Sequence, residues 1–187
     1  MTYNLANNHW LGLVTGRLGI TSSNLWHRET IVDAGMWKEE QKSSQEYELM
    51  YRILKQLDNV ILDDEPLSII RRRENSISTT NSYANRERAA LLHTEMFDYV
   101  LNTYPETVKD YDVAFYHAVL KYLSILALFD SSKAKIHYQD WIPNDFLITE
   151  PSFGRFYRFC FNTFGFDIAQ ALFKPYLYCR ELLFFAK

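Results

Sequence analysis

Between Asp110 and Asp130 the chain reads as a helix that is apolar nearly all the way round. Its polar stripe is narrow: Asp110, His117, Lys121 and Ser124, spaced seven, four and three apart. A helix with so little polar surface belongs inside a bundle, with other helices packed around it. The stretch is too short and too polar to span a bilayer, which takes about 20 apolar residues.

The segments on either side carry the same helical period. Met50, Ile53, Leu54, Leu57 and Ile61 form one apolar stripe and predict a helix over 37–62, with its first turns, 38–48, polar all round and projecting into solvent. Asp63-Asp64-Glu65-Pro66 ends that helix and starts a short one over 67–73, and residues 74–82 read as a loop. A further helix is expected over 84–104, stopped by Pro105. Its apolar residues fall in two adjacent columns. One holds Ala89, Leu92, Met96, Val100 and Thr103, the other Ala90, Phe97, Leu101 and Tyr104, while Glu87, Thr94, Glu95, Asp98 and Asn102 face away. Thr107 or Asp110 is expected to cap the central helix. So short a connection makes the two helices antiparallel neighbours.

The ends of the chain are less regular. Residues 1–36 hold four of the six glycines and predict an irregular N-terminal layer, with a short helix over 25–34 ended by Gly35 and tryptophans 10, 26 and 37 as anchors. After Asp130, a polar turn at 131–133 leads into a segment expected to be irregular, with Trp141, Pro143 and Pro151. The last 37 residues hold twelve Phe and Tyr; Phe153, Phe156, Tyr157, Cys160 and Phe164 sit at helical spacing and are expected in the core. Gly165 marks a break and Asp167 a new cap, and Pro175 an end or a kink. The fold class is therefore all-α: a single domain, an irregular bundle of about seven to nine helices around the central helix 110–130, with main helices over 37–130 and aromatic-rich C-terminal helices over 151–187.

Composition changes this picture little. A chain of 187 residues can bury roughly 70% of its unfolded surface and needs no disulfide or metal for stability. The net charge of −3 argues against general affinity for nucleic-acid backbones. Cys160 and Cys179 match no zinc or redox spacing and are expected as buried free thiols. The first ten residues show neither a basic region nor an apolar run, so the protein is expected in the cytoplasm and away from membranes.

Chemistry is sparse. No helix carries a His-x3-His or Glu-x2-His pair, and no nucleotide fingerprint follows a strand. Asp63-Asp64-Glu65 and Asp110-Tyr111-Asp112 sit at helix starts, where exposed N–H groups already favour carboxylates, so neither requires a metal. Arg71-Arg72-Arg73 ends a short helix, where cations complement the dipole. No cofactor is expected.

The sharpest pattern is Arg86-Glu87-Arg88-Ala89-Ala90-Leu91-Leu92-His93. It fits Arg-x(4–6)-His twice and resembles the signature of the all-helical HEPN ribonucleases. That resemblance implies metal-independent RNA cleavage, with His93 as base and Arg86 or Arg88 supporting the charged transition state. Arg86 lies seven residues before His93 and shares its helix face, whereas Arg88 lies about 140° round. Against this, His93 falls between the two apolar columns, the place of a buried core histidine. His117, with Asp110 and Lys121, could face a cleft or belong to a structural network.

Charge supplies the leading functional reading. Residues 29–65 hold ten acids and four bases. An acidic surface on a small helical protein suits docking to a basic protein, with Glu39, Glu40, Asp63, Asp64 and Glu65 as the candidate contacts. Bacterial immunity proteins against nuclease toxins, small and acidic and without catalytic motifs, are one such group. The expectation is a protein-binding module for a basic partner rather than an enzyme; the alternatives are the HEPN-type ribonuclease and a structural scaffold protein.

Overall fold

The computed structural model describes residues 8–19, 23–57, 61 and 83–185, with side chains as far as 175. Every regular element among them is helical, so the fold is all-α. Eight α-helices follow in order: α1 His9–Thr15, α2 Arg28–Asp33, α3 Gln45–Leu54, α4 Tyr83–Thr103, α5 Pro105–Asp110, α6 Asp112–Leu126, α7 Ser131–Trp141 and α8 Arg155–Phe185. A 3-10 turn, Pro151–Phe153, precedes α8. The chain divides into two compact units, Met1–Phe115 and Tyr116–Lys187, and α6 runs through the division.

In the first unit, the N-terminal layer expected to be irregular contains a helix over 9–15. Asn8 starts it, its side chain accepting from the Leu11 N–H at 2.9 Å. Gly16, at φ 72°, ends it in the left-handed conformation glycine tolerates best. Trp10, Leu11, Leu13 and Val14 are buried. The core continues through Leu49, Met50, Ile53 and Leu54 of α3, Ala90, Met96, Phe97 and Val100 of α4, and Phe115. Phe97 meets Phe115 with ring centroids 6.1 Å apart. An aromatic group seals one side: Trp10 lies against Tyr99 and Tyr104, and Tyr51 meets Tyr99 edge-on at 5.6 Å. The Lys55 ammonium sits 4.8 Å from the Tyr99 ring, where the ring's negative face attracts it.

Four expectations need correction here. The helix expected over 37–62 starts only at Gln45, and residues 37–44 are turns and loop. The apolar stripe holds at Met50, Ile53 and Leu54, but Leu57 and Ile61 are exposed, because α3 stops at Leu54. Thr94 does not face away. It is buried, and its hydroxyl donates to the Ala90 and Leu91 carbonyls, so a polar residue enters the core with its bond satisfied locally. The connection between α4 and α6 also differs, since a separate six-residue helix, α5, fills it with Pro105 in its first turn.

In the second unit, Val119, Leu120, Leu123 and Leu126 of α6 are buried with Ile142, Ile148, Tyr157, Phe161, Phe166 and Ala169. The segment after Asp130 is not irregular throughout. Asp130 caps α7 by accepting from the Lys133 N–H at 2.9 Å, so the supposed polar turn is a helix start. Cys160 is a buried free thiol; the Cys179 side chain lies outside the described residues. The aromatic face of α8 is only half as expected. Tyr157 and Cys160 are buried, but Phe156 and Phe164 are exposed, as is Phe159. Aromatics surround this helix and one face alone can be buried, so Phe156, Phe159 and Phe164 are left outside.

Gly165 has φ 82° and ψ −178°, a conformation almost confined to glycine. A Cβ there would meet nothing within 4 Å, so the cost of adding one is conformational alone. Gly165→Ala is expected to destabilise the protein by about 2 kcal/mol, read as a lower urea midpoint at unchanged m-value.

Candidate functional site

The acidic candidates divide. Asp63, Asp64 and Glu65 lie outside the described residues, as does Arg71-Arg72-Arg73. Glu39 and Glu40 are exposed in the connection between α2 and α3. This connection is built from the core outward. Ile31 and Trp26 pack on the buried cluster of Ala34, Leu49 and Ile53, which seats α2 on α3. The chain then reverses at Gly35, φ 81°, and Met36, φ 56°. Positive φ at a methionine is costly, so something must hold it.

Arg52 is what holds it. Its guanidinium donates to the carbonyl of Ala34 and, at 2.6 Å, to that of Met36. The same group makes paired bonds to Glu48 one helical turn back, Nε to Oε1 at 2.8 Å and Nη2 to Oε2 at 2.7 Å. Lys38 closes on Glu48 Oε1 at 2.7 Å. Glu48, expected to project into solvent, is therefore buried and ion-paired. Burial alone would raise its carboxyl pKa, but the bonds and charges of Arg52 and Lys38 outweigh it and hold the pKa below the usual range.

What the clamp presents is a mixed surface. Leu25, Val32, Met36 and Trp37 are exposed, Leu25 fully. Glu29, Asp33, Glu39 and Glu40 are exposed among them. Glu29, Val32 and Asp33 share the face of α2 opposite Ile31 and line one shallow hollow with His27 and Arg28. Trp37 meets Trp26 edge-on at 6.4 Å, which fixes its ring while leaving it 40% exposed. Of the exposed apolar residues, only Trp37 was expected as an anchor; Leu25, Val32 and Met36 carry no signal in the sequence that sets them outward.

The two candidate histidines, His93 and His117, are buried. His93 is buried, with Nδ1 3.2 Å from the Val14 carbonyl and its ring 5.5 Å from Tyr47. Burial pushes the Tyr47 phenol up to about 12. Arg88 turns to Ser43 and to Asn85. A ribonuclease of the HEPN kind needs this arginine or Arg86 and the histidine to open on one groove, and the burial of His93 does not provide it. His117 is buried as well; its Nε2 accepts from the N–H of Thr149 at 3.1 Å and of Glu150 at 3.4 Å, holding the loop before α8. Of the polar stripe, Lys121 is exposed, and Asp110 is exposed on α5 rather than on α6. His117 thus faces protein rather than a cleft or bulk water.

Ser124 belongs to a network that sequence spacing does not reveal. Its hydroxyl donates to the Leu120 carbonyl at 2.8 Å and lies 2.9 Å from the Tyr157 hydroxyl. Gln170 Nε2 donates to both, at 2.9 and 2.6 Å. Burial raises the Tyr157 phenol to about 12, against the lowering effect of its bonds to Ser124 and Gln170.

Among the described residues no three His, Cys, Asp or Glu gather as metal ligands, and no helix is long and apolar enough to cross a membrane. Comparison with protein-family models, curated proteins and solved structures finds no match to this chain.

Proposed function

We propose that the protein is a binding module for a basic protein partner, and that it docks through the surface around α2. One observation carries this reading. Exposed Leu25, Val32, Met36 and Trp37 stand interleaved with exposed Glu29, Asp33, Glu39 and Glu40 on a segment whose backbone is clamped by Arg52. Tryptophan and methionine are enriched at protein interfaces, and a few large anchors carry most of the binding energy there. Acids around such anchors speed encounter with a basic surface and select against acidic ones. A pre-set backbone lowers the ordering cost of binding. Inhibition of a basic toxin by an immunity protein is one function of this kind.

The test is affinity capture from an extract of the source cell, comparing the wild type with a variant carrying Trp37→Ala, Glu39→Lys and Glu40→Lys. The expected outcome is a basic protein enriched by the wild type and depleted at least tenfold in the variant, while circular dichroism shows both folded. Equal capture by both would remove this surface from the reading.

A further inference from the structure

Beyond the break at Gly165, α8 carries two apolar faces. On one, Phe166, Ala169 and Gln170 are buried, and Phe173 meets Tyr157 edge-on at 5.0 Å. This face closes the core of the second unit. About half a turn round the helix, Ile168, Ala171, Leu172 and Pro175 are all exposed. A helix that is apolar on both sides needs cover on both.

The exposed stripe has a heptad spacing. Ile168, Ala171 and Pro175 stand three and four apart, and the sequence continues the step at Tyr178, Leu182 and Phe185. Gly165 is the only residue of α8 with non-helical backbone angles, so the helical register carries across Pro175 to Phe185. Steps of three and four in alternation keep one seam in line, which is the pattern of a helix packed along a second helix. The stretch from 166 to 185 is about 30 Å long, enough for such a seam.

Charge selects the second helix and its direction. Lys174 and Glu181 each stand one residue before a seam position, Pro175 and Leu182, and so flank the seam on the same side. In a parallel pair, a residue on that flank faces the one five positions further on, which sets Lys174 against Cys179 and pairs no charges. An antiparallel pair can place Pro175 against Tyr178 of a second copy, Ala171 against Leu182 and Ile168 against Phe185. The same register sets Lys174 against Glu181, twice by symmetry. It fills every seam position and pairs opposite charges.

We propose that the protein forms a two-fold symmetric dimer through this stripe, the two copies of α8 running antiparallel from Phe166 to Phe185. A two-fold interface must be self-complementary, and the register above is so in both shape and charge. The proposal uses residues of the second unit alone and leaves the surface around α2 to its own partner.

Sedimentation equilibrium of the full chain between about 1 and 200 µM tests it. The wild type is expected at twice the chain mass in the upper part of that range. Ile168→Glu removes no core contact, since Ile168 is 46% exposed, and should be monomeric with an unchanged circular dichroism spectrum. Lys174→Glu sets like charges opposite each other and should weaken the dimer about tenfold or more. Adding Glu181→Lys to it restores both pairs in reverse and should bring the affinity back to within about threefold of wild type. The proposal fails if the wild type stays monomeric throughout, including a monomer that instead co-sediments with phosphatidylserine vesicles. It fails equally if Ile168→Glu dimerises as the wild type does, or if the double charge swap is no tighter than Lys174→Glu.

Discussion

Phe97→Ala is expected to cost about 4 kcal/mol of stability, the largest effect of any single truncation considered. Phe97 is fully buried and its ring lies tilted against the equally buried Phe115. Truncation removes the transfer free energy of a phenyl ring and leaves a cavity that the packed helices around it close only in part. Met96 and Val100, also fully buried on α4, supply walls that would lose contacts in turn. Chemical denaturation of wild type and variant measures the difference. A loss below about 1 kcal/mol would mean that this region is not closely packed. Phe97→Leu should recover more than half of the loss, since it refills most of the volume.

Arg52→Met is expected to cost about 3 kcal/mol and to act on two levels. It removes the partner of a buried carboxylate, and it frees the Ala34 and Met36 carbonyls that it holds. The turn at Gly35 and Met36 then loses the bonds that offset its positive φ angles, and Trp37, Glu39 and Glu40 lose their fixed backbone. Partner affinity should therefore fall in this variant even at temperatures where it stays folded. The pH dependence has a definite sign. The Glu48 pKa is lowered in the folded protein, so its contribution is fully present above the unfolded value of about 4.3 and is lost as pH falls through the folded value. Glu48→Gln should thus be less stable than wild type at neutral pH, with the gap closing below about pH 4.3. A gap that stays constant into acid would show that the carboxylate is not the paired group.

The helical class and the larger helices were legible because their apolar residues recur every three or four positions and their ends carry proline or glycine. Pro105 stopping α4, Gly35 following α2 and Gly165 breaking α8 all follow from backbone restrictions that a sequence displays. Residues 37–44 and the start of α7 were less legible. Lys38, Glu46 and Glu48 read as a solvated helix face, yet Glu48 is drawn inward by an arginine that also serves carbonyls in another segment. Glu48 and Arg52 stand four apart on α3, but the burial of their pair depends on where α2 packs. Ser131-Ser132-Lys133 is polar enough to pass for a turn, yet Asp130 caps a helix that starts there. The site was half visible. Net charge pointed to the acids around Glu39, while the apolar anchors beside them emerged only from exposure. Gln170 lies 46 residues from Ser124, and no local pattern connects them.

The most direct measurement is the association rate of the captured partner with this protein as ionic strength is raised. The comparison is with a variant carrying Glu29→Lys, Asp33→Lys, Glu39→Lys and Glu40→Lys. Steering by the acidic surface around α2 requires a wild-type rate that falls steeply with salt, and a variant rate at least tenfold slower at low salt that rises as salt screens the new repulsion. Equal rates and equal salt slopes for the two proteins would show that this surface does not carry the binding.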